Sequence, residues 1–203
     1  MDSDAILQRI EAVPLRDGRR IIAIAGAPAS GKSTLADILV QKLPNACVVP
    51  MDGFHRSNDD LAQMGLLARK GAPETFDGEA FVALVRALRS GAEMIFPTFD
   101  RARDCVVPEG GHLPGTVETI IVEGNYLLLD RGPWRALGKE WDLSVMIDVP
   151  LAVLRERLVA RWLRHGLDPA GALARAQQND IPNAQVVIAS STFAEVIVGS
   201  ADG

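Results

Sequence analysis

The chain has 203 residues, 48% of them hydrophobic, which supplies one sizeable core and points to one domain rather than two. Its net charge of −5 and pI of about 5.2 repel a phosphate-rich polymer, so nucleic acid is not expected as a partner. No apolar stretch approaches the roughly 18 residues of a membrane span, and the acidic start Met1-Asp2-Ser3-Asp4 lacks the basic flank of a signal peptide. Cys47 and Cys105 have no metal-ligand spacing and suit reduced thiols, so no membrane partner and a cytoplasmic setting are expected.

Taken in chain order, Ile6, Leu7, Ile10 and Val13 predict an amphipathic helix over 3–13. The apolar run Ile21-Ile22-Ala23-Ile24-Ala25 reads as a buried strand, and it leads directly into Gly26-Ala27-Pro28-Ala29-Ser30-Gly31-Lys32-Ser33-Thr34. That string is a complete GxxxxGKS phosphate-binding loop, followed by Leu35, Ile38, Leu39 and Leu43 at the spacing of a helix over 32–42. Strand, loop and helix together are the context the motif requires. Gly26 and Gly31 let the backbone curl so that consecutive N–H groups point at a β-phosphate, and the positive end of the following helix adds its field. Lys32 is expected to reach the β- and γ-phosphates and the Ser33 hydroxyl to ligate Mg²⁺, so the chain is read as binding ATP with Mg²⁺.

Further strands are expected at 46–50, 93–97, 118–123 and 142–148, with a possible sixth at 194–198. Helices are expected near 79–89, 151–165, 171–178 and 183–190, the first of these capped by Asp77 or Gly78. Pro and Gly with short apolar pieces over about 100–116 suggest a hairpin insertion projecting from the sheet, and the tail 199–203 is expected to fray. The alternation of strand and helix predicts an α/β fold, three layers around a five-stranded, mostly parallel sheet.

In parallel α/β sheets ligands bind beyond the carboxyl ends of the strands. Asp52 closes Val48-Val49-Pro50-Met51-Asp52 and Glu123 closes Thr119-Ile120-Ile121-Val122-Glu123, so both acids should share the crevice of the phosphate loop. Phosphoryl transfer to a hydroxyl needs one acid to accept the attacking proton and another to serve the metal. Taken singly, each acid could be a cap or a solvated strand end. Arg157, Arg161 and Arg164 recur at helical spacing and share a face, which is either the solvated side of an amphipathic helix or a lid over the triphosphate, about 155–170.

The combined set resembles the uridine kinase, phosphoribulokinase and bacterial pantothenate kinase superfamily of P-loop kinases. Beside the phosphate loop it comprises Met51-Asp52-Gly53-Phe54-His55, Thr75-Phe76-Asp77, Pro97-Thr98-Phe99-Asp100-Arg101, Val122-Glu123-Gly124-Asn125-Tyr126 and Arg157-Leu158-Val159-Ala160-Arg161. It is most similar to the bacterial branch labelled fructose transport system kinase, and the resemblance runs over about 20–190. It implies that Asp52 is the base, that Glu123 serves the metal and that Asp77 holds an acceptor hydroxyl. It also implies that Phe99, Asp100 and Arg101 line the acceptor pocket and that Arg157 and Arg161 belong to a lid. His55 is either a substrate contact or loop chemistry. The superfamily's second Arg-Gly-Arg is replaced here by His165-Gly166-Leu167-Asp168-Pro169, which separates Arg164 from the lid set. Asn179-Asp180-Ile181-Pro182-Asn183 resembles a string of the same branch, which implies a place near the adenine; Asp180 and Asn183 read otherwise as helix caps, and Trp134, Trp141 and Trp162 as core or edge packing.

The expected activity is therefore phosphoryl transfer from ATP to a small-molecule alcohol, such as a sugar like fructose, with pantothenate or a nucleoside as alternatives. A GTPase would need a guanine-reading Asn-Lys-x-Asp string, which the chain lacks, and a mechanochemical ATPase would need tandem acids where Glu123 is followed by Gly124 and Asn125. A nucleotide-sensing module without an acceptor pocket is the third alternative.

Overall fold

The computed structural model describes residues 3–199. Helix α1 (Ser3–Glu11) buries Ile6 and Ile10 and precedes β1 (Arg20–Gly26), the phosphate loop and α2 (Lys32–Lys42). Strand β2 (Ala46–Pro50) runs into a 3₁₀ turn, Met51–Phe54, and then α3 (Asn58–Gln63) and α4 (Gly78–Ala87). The ribbon strands β3 (Met94–Asp100) and β4 (Cys105–Leu113) follow, then β5 (Thr119–Gly124) and β6 (Leu143–Asp148). Helices α5 (Leu151–Arg164), α6 (Pro169–Arg175) and α7 (Ile181–Ser190) precede the last strand, β7 (Val196–Gly199). The expected fraying of the tail falls mostly on residues 200–203, outside the described residues. Among the described residues no helix is long and apolar enough to cross a membrane.

The main sheet has five strands, all parallel, in the order β2-β5-β1-β6-β7. All of β5 and nearly all of β1 are buried, so side chains on both faces are covered and helices must flank the sheet on both sides, which explains their continuous apolar runs. Ile22 pairs with Ile121 on one side and with Leu143 on the other, at the centre of the core.

Two expectations need correction. The strand expected at 93–97 is outside this sheet: β3 pairs antiparallel with β4 in a separate two-stranded ribbon, interrupted by a bulge between Phe96 and Thr98. Pro97 at the bulge has no N–H for a ladder, which suits a ribbon and not a central strand. The fifth member of the sheet is instead the possible sixth strand, β7, and the hairpin begins at Met94, ahead of the expected insertion.

The ribbon docks on the turn after β2. Gly53 lies against Pro97 so closely that a Cβ would overlap the Pro97 carbonyl, which makes this glycine a requirement of the contact. At the opposite side, α5 is held by its own small apolar cluster of Leu158, Ala176 and Ile181, against which Ala29 of the phosphate loop and Trp162 pack.

Candidate active site

Gly31 sits at φ 97° ahead of α2, a left-handed conformation that only glycine adopts readily, and no side chain caps the helix. The first amides of α2 are thus left for a ligand, and no acidic residue occupies the first turn. Ala29 is also left-handed, at φ 65°, an unfavourable position for a residue with a Cβ. Its carbonyl accepts from Arg157 Nη1 at 3.5 Å and its methyl joins the small cluster under α5, so α5 braces the strained residue.

The two acids are brought together by strand register. Glu123 pairs with Ile24 on β1 and with Pro50 on β2, two residues before Asp52. It therefore lies between the phosphate loop and Asp52. Glu123 is buried, receives a hydrogen bond from Ser33 and leaves Oε2 without a partner. Burial pushes its carboxyl above the ordinary range, and the nearby Lys32 ammonium opposes that shift. A buried, half-satisfied carboxylate beside a hydroxyl fits a hard divalent cation. Among the described residues no group of three or more His, Cys, Asp or Glu could hold a metal, so a cation here takes few protein ligands, as Mg²⁺ does beside phosphates. Asp52 lies just past its strand, in the 3₁₀ turn, where its Oδ2 accepts from Arg101 Nη2 at 2.6 Å.

Lys32, Ser33, Asp52, Arg101 and Arg161 open on one cleft of about 710 Å³. A second cavity of about 490 Å³ adjoins it through His55, Lys70, Phe99 and Asp104. His55 is wedged between Phe76 and Phe99, with ring centroids 4.0 and 4.6 Å away. Its Nδ1 donates to the Asp52 carbonyl at 2.8 Å, and since a carbonyl only accepts, Nδ1 carries the proton and Nε2 is the acceptor of the neutral ring. Burial lowers the His55 pKa and Asp52 opposes the shift. Lys70 reaches over Phe99 and pairs with Asp104 at 2.9 Å.

Asp77 does two things the sequence set against each other. Its Oδ1 accepts from the Ala80 amide at 3.0 Å, capping α4, and the residue also lines the second cavity. Asp100, expected in the pocket, turns away from it: its Oδ1 accepts from the amides of Ala102 and Arg103 and shapes the ribbon turn. Arg161 faces the cleft, where burial lowers its pKa against the opposing charge of Asp180, while Arg164 is exposed and away from it.

Asp180 stands at the N-cap position of α7 without a side-chain capping bond, and Asn183 lies within that helix. The helix expected over 171–178 ends at Arg175 and passes through a π-helical turn, Ala176–Asp180, into α7, and that extra residue rotates both side chains inward. Asp180 accepts from the Trp162 indole, and Asn179 and Asn183 accept from Arg69 at 3.1 and 3.3 Å. Trp162 therefore borders the cleft besides packing, whereas Trp134 is core. Sequence reasoning missed Arg56, Lys70 and Asn125, each of which lines one of the two cavities or both. Asn125 lies inside a string already singled out, and a cation one residue beyond Asp-Gly-Phe-His was the available signal for Arg56.

A phosphate loop with its acids on adjacent parallel strands defines a P-loop kinase architecture. Comparison with known proteins places it further. The chain is 46% identical to the "putative fructose transport system kinase" from Silicibacter sp. TM1040, whose crystal structure superposes with a TM-score of 0.93 over 98% of this chain and 99% of that one. It is 37% identical over 186 residues to the uncharacterized protein YggC of Escherichia coli K12, covering 89% of this chain and 77% of that protein. It is 31% identical to the "Putative uridine kinase C227.14" of Schizosaccharomyces pombe over a 209-residue alignment, 96% of this chain and 89% of the relative. No protein-family model matches. The chain belongs to the uridine kinase-like family of P-loop kinases.

Proposed function

We propose that the protein transfers the γ-phosphoryl group of ATP to a hydroxyl of a small molecule, with Mg²⁺ and in the cytoplasm, as a single kinase domain. The observation that carries this reading is the shared cleft, in which the phosphate loop, Asp52 and the Ser33–Glu123 pair face one space continuous with a second cavity. A nucleotide sensor has no use for the second cavity. Metal held at Ser33 and Glu123 would screen the charge of the β- and γ-phosphates. Lys32 and Arg161 add positive charge around the phosphate oxygens over which the transition-state charge is spread, and the amides at the start of α2 hold the phosphates in place. Asp52 accepts the hydroxyl proton, oriented by Arg101 through one oxygen, which leaves the other for the acceptor. His55 offers Nε2 to a further hydroxyl, and Asp77 offers a carboxylate oxygen. Arg157 secures the lid helix to the loop.

The printed name of the Silicibacter relative makes a ketose such as fructose the first acceptor to try, with pantothenate and nucleosides next. ATP consumption measured with each candidate, for wild type and Asp52→Asn, tests the reading. Acceptor-dependent turnover that falls by about 10²-fold or more in the variant is expected. ATP hydrolysis indifferent to every acceptor overturns it.

A further inference from the structure

Arg56 lines the second cavity as a cation whose side chain finds no partner among the described residues. Its Nε is buried without a hydrogen-bond partner, and its guanidinium has no ion-pair partner among the described residues, although it lines the cavity. The carboxylates around it are engaged elsewhere or turned to solvent. Asp104 pairs with Lys70, Asp60 accepts from Ser57, Asp77 caps α4 and Asp59 is exposed on α3. A buried Nε–H without a partner is costly, and the planar guanidinium fork matches a carboxylate or phosphate. It also sits one residue beyond His55, whose ring forms part of the wall between this cavity and the cleft holding Asp52.

We infer that the phosphoryl acceptor is an anionic alcohol, whose hydroxyl meets Asp52 while a carboxylate or phosphate ester at its other end binds Arg56. Arg103, on the lip of the same cavity, adds a second positive charge. This rests on the kinase reading and sharpens it: a neutral sugar such as free fructose lacks the group that Arg56 requires. Arg56 is a specificity residue, remote from the transferring phosphoryl group.

Matched probes test this: D-glycerate and D-gluconate carry carboxylates, D-fructose 6-phosphate carries a phosphate ester, and glycerol, D-sorbitol and D-fructose are neutral. Binding of each is measured by calorimetry with Mg²⁺ and a non-hydrolysable ATP analogue, for wild type, Arg56→Gln and Arg56→Lys, beside ATP turnover. At least one anionic probe should bind about tenfold to a hundredfold tighter than its neutral counterpart. That preference should vanish in Arg56→Gln and return in part in Arg56→Lys, with ATP affinity unchanged. Carboxylate and phosphate probes distinguish the two sources of charge. Because the Arg56 side chain makes no hydrogen bond to the described residues, the melting temperature of Arg56→Gln should equal or exceed that of wild type, which separates recognition from folding. Neutral probes phosphorylated as well as anionic ones, with no effect of Arg56→Gln, overturn the inference while leaving the kinase standing. Failure of every anionic probe to bind overturns it whatever the turnover shows, and ATP hydrolysis indifferent to all six removes the kinase reading as well.

Discussion

Arg101 on the ribbon and Asp52 at the end of β2 meet at 2.6 Å, joining two sheets that share no backbone ladder. The Arg101 side chain is 57% exposed, so the pair contributes little to folding, about 0–1 kcal/mol. Its value is in aiming the carboxylate. Arg101→Gln should therefore lower kcat by about tenfold or more with KM for ATP unchanged and the melting temperature within a few degrees. A fully active variant would remove Arg101 from the mechanism.

Lys32 and Glu123 should separate charge neutralisation from metal use. Lys32→Ala should lose about 10²-fold or more in kcat while the fold is kept. Glu123→Gln should instead raise the Mg²⁺ concentration for half-maximal rate by about tenfold or more. It should also tolerate heating at least as well as wild type in the absence of Mg²⁺, since it removes a buried, half-satisfied charge. Titrating Mg²⁺ at saturating ATP for both variants checks the division.

The acceptor site should weaken in acid through His55. Burial lowers its pKa below the usual 6.5, so the ring stays neutral and Nε2 keeps its lone pair at neutral pH. The acceptor KM should be flat from pH 8 to about 6.5 and rise below that as the ring charges. The linkage has a definite sign. The unfolded chain takes up this proton near 6.5 and the folded chain only at lower pH, so stability falls as pH drops through that window and levels off beneath it. Melting curves against pH should lose this component in His55→Gln.

Asp77 can be divided into its two roles. Asp77→Ala removes the cap of α4 and should cost about 0.5–2 kcal/mol, or about 2–4 °C per kcal/mol in a chain of this size. Asp77→Ser keeps a capping oxygen and deletes the charge. A restored melting temperature with an acceptor KM still raised about tenfold assigns the carboxylate to the acceptor as well. A normal KM in Asp77→Ser leaves Asp77 as a cap alone.

Much of this was legible from residues. The phosphate loop carries its own context, and β2 and α2 begin and end where the periodicity puts them, because Gly31 and the Pro50 turn punctuate the chain. The partner of a strand is less readable: alternation at 93–97 marks extended backbone but is silent on which sheet it joins, and only the Pro97 bulge hinted at a ribbon. The cap reading of Asp180 and Asn183 rests on a regular helix start, whereas a π-helical turn shifts the phase by one residue and turns both toward the cleft. Arg56 and Lys70 escaped notice because they come from irregular segments, where no period says which way a side chain faces.

The close fit of Gly53 on Pro97 has a wider implication. The ribbon that carries Phe99, Arg101 and Arg103 packs on the Met51–Phe54 turn, and its strands share a backbone ladder only with each other. The ribbon thus brings one wall of the second cavity as a separate stretch of polypeptide, while His55, Arg56 and Asp77 supply the rest from the segment after β2. Exchanging Met94–Leu113 for the matching ribbon of another kinase, with Gly53 kept, is then a way to reshape that wall alone.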